Sequence, residues 1–167
     1  VAALVSAQQP DLVLMLGDYS INEIPGGSEV DPQQWMPAFG AIPAPLGVHA
    51  VLGNHDRWND TAGIRSALEA SGITVLENAA VPLRSSAQTF WLVGVGDTFT
   101  GNDRVSEAFA GVPDGATVLA MSHGPDVTDQ LGDRADLVVA GHTHGGQIYI
   151  PFVSQSLLNL RWRRGLY

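Results

Sequence analysis

Short apolar runs, each bounded by Gly, Pro, Asn or Asp, set the rhythm of this chain. Runs at residues 11–16, 48–52, 73–76, 90–95, 117–121, 136–140 and 147–150 have the length and borders of strands. Most are apolar at every position rather than at alternate ones, which predicts sheets covered on both faces. Between them the pattern predicts helices. Residues 2–9 are ended by Pro10, 33–39 are opened by Asp31-Pro32 and kinked by Pro37, 62–70 are capped by Thr61 and stopped by Gly72, and 103–110 form a fourth. Residues 22–30 and 41–47 are rich in Pro and Gly and read as loops. Strands alternating with helices, with no internal repeat and no linker, predict a single α/β domain over 1–167.

Composition agrees and removes several classes. Of 167 residues, 45% are hydrophobic and 15% charged, the balance of a chain with a sizeable core. No apolar run approaches the roughly 18 residues of a membrane span. Cysteine is absent, which excludes disulfides, thiolate metal sites and a cysteine nucleophile. The net charge is −9, and every cation is arginine. All the acids precede position 161, whereas Arg161, Arg163 and Arg164 crowd beyond it. That balance weighs against a nucleic-acid partner, and the arginine cluster reads as a solvated loop ahead of a phosphate, lipid or membrane contact.

The residues with chemistry in them stand where predicted strands end. Asp18 follows the first strand, Asn54, His55 and Asp56 the second, His123 the fifth, and His142 and His144 the sixth. Ligands of α/β sheets bind at the carboxyl ends of strands, so these groups are placed to converge. Together they make a carboxylate, an amide oxygen and imidazoles with no sulfur, which suits borderline divalent ions such as Mn, Fe or Zn. A carboxylate has two oxygens, so Asp18 can bridge two ions roughly 3.5–4 Å apart. In an extended segment, His142 and His144 face the same way. Other pairings carry less. Ser122 beside His123 lacks the glycine elbow of a serine hydrolase, Gly94-Val95-Gly96 lacks the third glycine of a dinucleotide site, and His49 reads as a core or edge histidine.

The ordered set GD, GNHD, SHGPD and GHTHGGQ resembles the calcineurin-like metallophosphoesterase superfamily, closest to its bacterial YkuE/YaeI-like phosphodiesterase branch. The resemblance implies a sandwich of two mixed β-sheets flanked by helices. It implies hydrolysis of phosphomonoesters or phosphodiesters by a hydroxide bridging two divalent ions. In that reading Asp18 bridges the ions, Asn54, His123 and His142 complete one site, and His144 serves the other. His55 stabilises phosphoryl oxygens or protonates the leaving oxygen, with Asp56 orienting it. Asp97 and residues 19–25 line the substrate rim. The family opens with an Asp-x-His strand that is not found before Asp18 here, which predicts an internal fragment with one nearly complete metal site and one depleted one. The implied substrate is a small or lipid-linked phosphate ester, and an envelope or membrane-associated location is as compatible as a cytoplasmic one. The alternative is a catalytically impaired metal-binding module acting through protein or lipid contacts.

Overall fold

The structure, a computed structural model, describes residues 1–20, 30–146 and 165. The predicted strand at 147–150 and the Arg161, Arg163 and Arg164 cluster lie outside them. Helix α1 (Ala2–Ser6) leads into strand β1 (Val13–Met15), then α2 (Pro32–Gly40), β2 (Val48–Ala50), α3 (Asn54–Trp58), α4 (Thr61–Ala70) and β3 (Thr74–Val75). The second half runs β4 (Ala79–Arg84), β5 (Thr89–Val95), α5 (Val105–Ala108), β6 (Val118–Ser122), α6 (Thr128–Leu131) and β7 (Leu137–Ala140). Among the described residues no helix is long and apolar enough to cross a membrane.

The strands form two sheets. In the first, β1, β2 and β3 pair in parallel, with Val13 opposite Val48 and His49 opposite Thr74. In the second, β5, β6 and β7 are parallel and β4 joins β5 in antiparallel. The expected mixed pairing therefore holds for the second sheet, while the described strands of the first are all parallel. Continuous apolar runs are explained by what lies on each face. Along β6, Leu119 and Met121 join a cluster with Leu14, Leu16, Val51 and Leu92, which fills the space between the sheets. Val118 and Ala120 face the opposite cluster with Val105, Val127 and Leu131 from the helical side. Across the first sheet, Val48 and Ala50 pack with Met36, Ile64 and Leu68 of α2 and α4. The layers are thus helix, sheet, sheet, helix.

The elements differ from their sequence reading in definite ways. The cap of α4 is Asp60, whose Oδ1 accepts from Gly63 N at 2.9 Å, and not Thr61. Helix α2 runs through Pro37 to Gly40, capped by Asp31. Strand β4 is absent from the hydrophobic pattern because Pro82 interrupts it; as an edge strand it tolerates a residue with no N–H to donate. Helix α3 looks like a turn in sequence, since Asn-His-Asp is turn chemistry, yet it is held as a helix by the side chain of Asp56.

Candidate metal centre

Parallel pairing puts the ends of β1 and β2 on one edge, and those of β5, β6 and β7 likewise. Asp18 follows β1 through Gly17, and Asn54 opens α3 just beyond β2. His123 follows β6 directly, and His142 follows β7 through Gly141. Close backbone approach makes this possible. A β-carbon at Gly17 would lie 2.7 Å from His123 Nδ1, and one at Gly53 would lie 2.7 Å from Asp18 N, so both positions need glycine. Asp18 (φ 60°) and His142 (φ 64°) occupy left-handed backbone, which costs about 1 kcal/mol each for a residue with a side chain.

The two loops are locked together by Asp56. Its carboxylate is fully buried and accepts from Gly53 N (2.8 Å), Asp18 N (2.9 Å), Tyr19 N (2.7 Å) and Ser20 N (3.2 Å). Burial and the Asp18 charge push its pKa up; the amides pull the other way without overcoming them. The link from Asp56 to His55 therefore runs through the backbone. Both oxygens are taken by backbone amides, so Asp56 acts on His55 only through the helix start that it holds. In return the His55 amide donates to Asp18 Oδ1 at 3.1 Å.

At the centre, Asp18, His123 and His142 each bring one ligand atom into a group no wider than 4.8 Å. His123 Nε2 is 3.0 Å from His142 Nδ1, 3.1 Å from Asn54 Oδ1 and 3.3 Å from Asp18 Oδ2. On the other side of the ring, His123 Nδ1 is 2.6 Å from the Leu16 carbonyl oxygen. A carbonyl only accepts, so Nδ1 carries a proton and Nε2 of the neutral ring presents a lone pair. An imidazole nitrogen of His142, an amide oxygen of Asn54 and a carboxylate oxygen of Asp18 thus gather around His123 Nε2. These residues fit a divalent ion, and the Leu16 carbonyl is the outer partner that orients a ligating histidine.

Charge at the centre is tightly coupled. Burial pushes the Asp18 carboxyl up, but His123, by hydrogen bond and charge, brings it below its ordinary value, helped by the His55 amide. Burial pushes His123 down, and Asp18 with the Leu16 carbonyl more than reverses that. His142 is lowered by burial and by His123.

His144 and Asp97 stand apart from this group. His144 is exposed, on a short turn (His144–Gly146) with φ 48°. Because His142 is left-handed too and Thr143 N donates to Gly141 O at 2.7 Å, the segment is a turn, and the expectation of an extended segment with both rings on one side is corrected. Asp97 is fully buried, with Oδ2 accepting from Thr100 N (2.9 Å) and Thr100 Oγ1 (2.8 Å). Its charge favours the protonated forms of His123 and His142, in the second case without overcoming burial. His49 is buried in β2 with Nε2 on the Leu46 carbonyl, as a core histidine.

Beside the centre are residues that the strand-end pattern does not mark. Trp58 and Phe99 are exposed and in ring contact with His55 and His142 respectively. Arg57 pairs with Glu77, which also accepts from Arg65 and from Asn102 Nδ2. Reading residues 54–58 as helical would have found Trp58, since positions three apart on a helix are neighbours.

Comparison with known proteins bears on the same residues. The family model described as calcineurin-like phosphoesterase matches residues 1–146. The chain is 35% identical to phosphodiesterase YaeI of Escherichia coli over 162 residues, covering 92% of this chain and 56% of YaeI. It is 28% identical to the uncharacterized metallophosphoesterase YkuE of Bacillus subtilis, over 89% of this chain and 52% of YkuE. It is 25% identical to the UDP-2,3-diacylglucosamine pyrophosphatase LpxG of Chlamydia trachomatis, over 91% of this chain and 59% of LpxG. The chain therefore spans a little over half the length of these relatives.

Proposed function

The chain belongs to the calcineurin-like phosphoesterase family, whose members use divalent metal, and from that membership we propose that it carries the metal-binding site of a hydrolase of phosphomonoesters or phosphodiesters. The observation that carries the reading is the gathering of Asp18, Asn54 and His142 around His123 Nε2, with His123 Nδ1 on the Leu16 carbonyl. Divalent ions, when bound, supply Lewis acidity toward a phosphate oxygen and a water activated for attack. The remaining chemistry belongs to the protein. Asn54 and His123 are buried and hold their donor atoms away from bulk water. Asp56 keeps the loops of residues 17–20 and 53–56 in register, so that Asp18 and His55 approach from fixed directions. In this reading His55, half-buried at the start of α3, holds a phosphoryl oxygen or gives its proton to the leaving oxygen.

In the finer reading two ions bind, Mn, Fe or Zn, with Asp18 shared and His144 serving the second. The names of YaeI and LpxG support a diester or pyrophosphate-type bond, and that of LpxG a lipid-linked one. Asp18→Ala and His142→Ala in the full-length protein are expected to lower turnover of p-nitrophenyl phosphate and bis-p-nitrophenyl phosphate by more than about 100-fold, with an unchanged circular dichroism spectrum. Unchanged turnover in either variant contradicts the proposal. A folded, metal-loaded protein inactive on a broad ester panel would favour the binding-module alternative.

A further inference from the structure

Four rings run in contact along one side of the centre. His55 meets Trp58 with centroids 5.1 Å apart at 75°, Trp58 meets Phe99 at 5.8 Å and 69°, and Phe99 meets His142 at 5.4 Å and 44°. The middle two rings belong to side chains that are 61% and 62% exposed, among the few large exposed apolar residues described. Scattered exposed apolar side chains need no explanation, but these two touch each other and join the candidate proton donor to a candidate metal ligand. Both are held firmly. Trp58 ends α3, whose start is fixed by Asp56 and whose Arg57 pairs with Glu77. Phe99 lies inside the turn closed by Thr100 N to Asp97 Oδ2 and Asn102 N to Asp97 O, both at 2.9 Å.

We propose that Trp58 and Phe99 form a preorganised aromatic wall that receives the organic group of the phosphoester, and that the enzyme therefore prefers esters whose group next to phosphorus is flat and aromatic. The inference rests on the phosphoesterase reading and adds the substrate class to it. With the phosphoryl group on a metal held by Asp18, His123 and His142 and its ester oxygen toward His55, the attached group would extend from His142 toward His55. Those are the two rings that the wall connects. Edge-to-face pairing leaves ring surface free for a third ring to stack on, which favours a planar group over a flexible chain.

The test is binding, not turnover. The full-length protein loaded with Mn is titrated calorimetrically with methylphosphonate, phenylphosphonate and hexylphosphonate, none of which has a cleavable ester. Phenylphosphonate is expected to bind about tenfold more tightly than methylphosphonate and more tightly than hexylphosphonate. Trp58→Ala and Phe99→Ala are expected to remove that preference while leaving methylphosphonate affinity unchanged, with Trp58→Phe retaining part of it. Quenching of tryptophan fluorescence by phenylphosphonate should vanish in Trp58→Phe. Equal affinity for methyl and phenyl, a hexyl preference, or a phenyl preference that survives the double variant overturns the wall alone. Failure of methylphosphonate to bind, or binding that needs no metal, overturns the phosphoesterase reading and the wall with it.

Discussion

At the scale of single residues, His123 and Asp56 do most to define the centre, by opposite means. His123 is oriented by one backbone carbonyl and left with a lone pair among other lone pairs. Asp56 is an acceptor surrounded by backbone donors. Replacing it by Asn keeps one carbonyl oxygen and turns the other position into a donor facing amides. Each buried amide left without an acceptor costs about 1–3 kcal/mol, so Asp56→Asn is expected to lower stability in urea unfolding by at least about 2 kcal/mol. A loss under about 0.5 kcal/mol would contradict the clamp. His55 makes a prediction of another kind. If it protonates the leaving oxygen, His55→Ala should slow alkyl phosphate esters by roughly 100–10,000-fold and p-nitrophenyl esters much less, because nitrophenolate leaves without a proton. Equal losses on both would point to phosphoryl-oxygen contact alone. That Asp18, Asn54, His123 and His142 come together was legible from strand-end position. The clamp was not, because four backbone amides have no signature in side-chain identity, and neither was the burial of Asp97.

Among the elements, α3 does most of the positioning and was hardest to read. It is five residues long, too short for a periodic apolar face, and it exists because Asp56 accepts from Gly53 N at its start. The approach of Gly53 to Asp18 and His123 sets the spacing between β1 and α3. Gly53→Ala is therefore expected to abolish metal binding while the described core survives, checked by dialysis against Mn and by circular dichroism. Retention of full affinity would show that the loops have more room than these distances allow. Helix α4 offers a control. Asp60→Ala removes its N-cap, and should cost about 1 kcal/mol of stability with no change in metal affinity. Strands of the second sheet were legible because Leu119 and Met121 pack toward one layer and Val118 and Ala120 toward the other, which makes the run apolar throughout. Strand β4 was hidden by Pro82, whose acceptability at an edge depends on tertiary context.

For the whole molecule, the centre joins two sheets that otherwise meet through the apolar cluster of Val51, Leu76, Leu92 and Met121. The bond from His123, at the end of β6, to Leu16, at the end of β1, crosses from one sheet to the other. Occupancy of the centre should therefore stabilise the whole fold, and chelation should lower Tm. Protons compete for the same groups. In the metal-free protein His142 is depressed, so its contribution grows as pH rises toward the ordinary histidine value of 6.5. His123 is raised, so its contribution is full below 6.5 and is lost as pH climbs through its folded value. The stability difference between the native protein and the His123→Ala/His142→Ala double variant should then peak near pH 6.5 without metal. With saturating Mn it should keep rising with pH instead, because ligation requires both rings neutral. A pH-independent difference in both states would contradict the coupling. The most direct measurement is anomalous diffraction at the metal absorption edge, from crystals of the full-length protein grown with Mn. The account predicts a peak within bonding distance of Asp18, Asn54, His123 and His142. A bound metal whose peak lies elsewhere, with His123 Nε2 unligated, would contradict it.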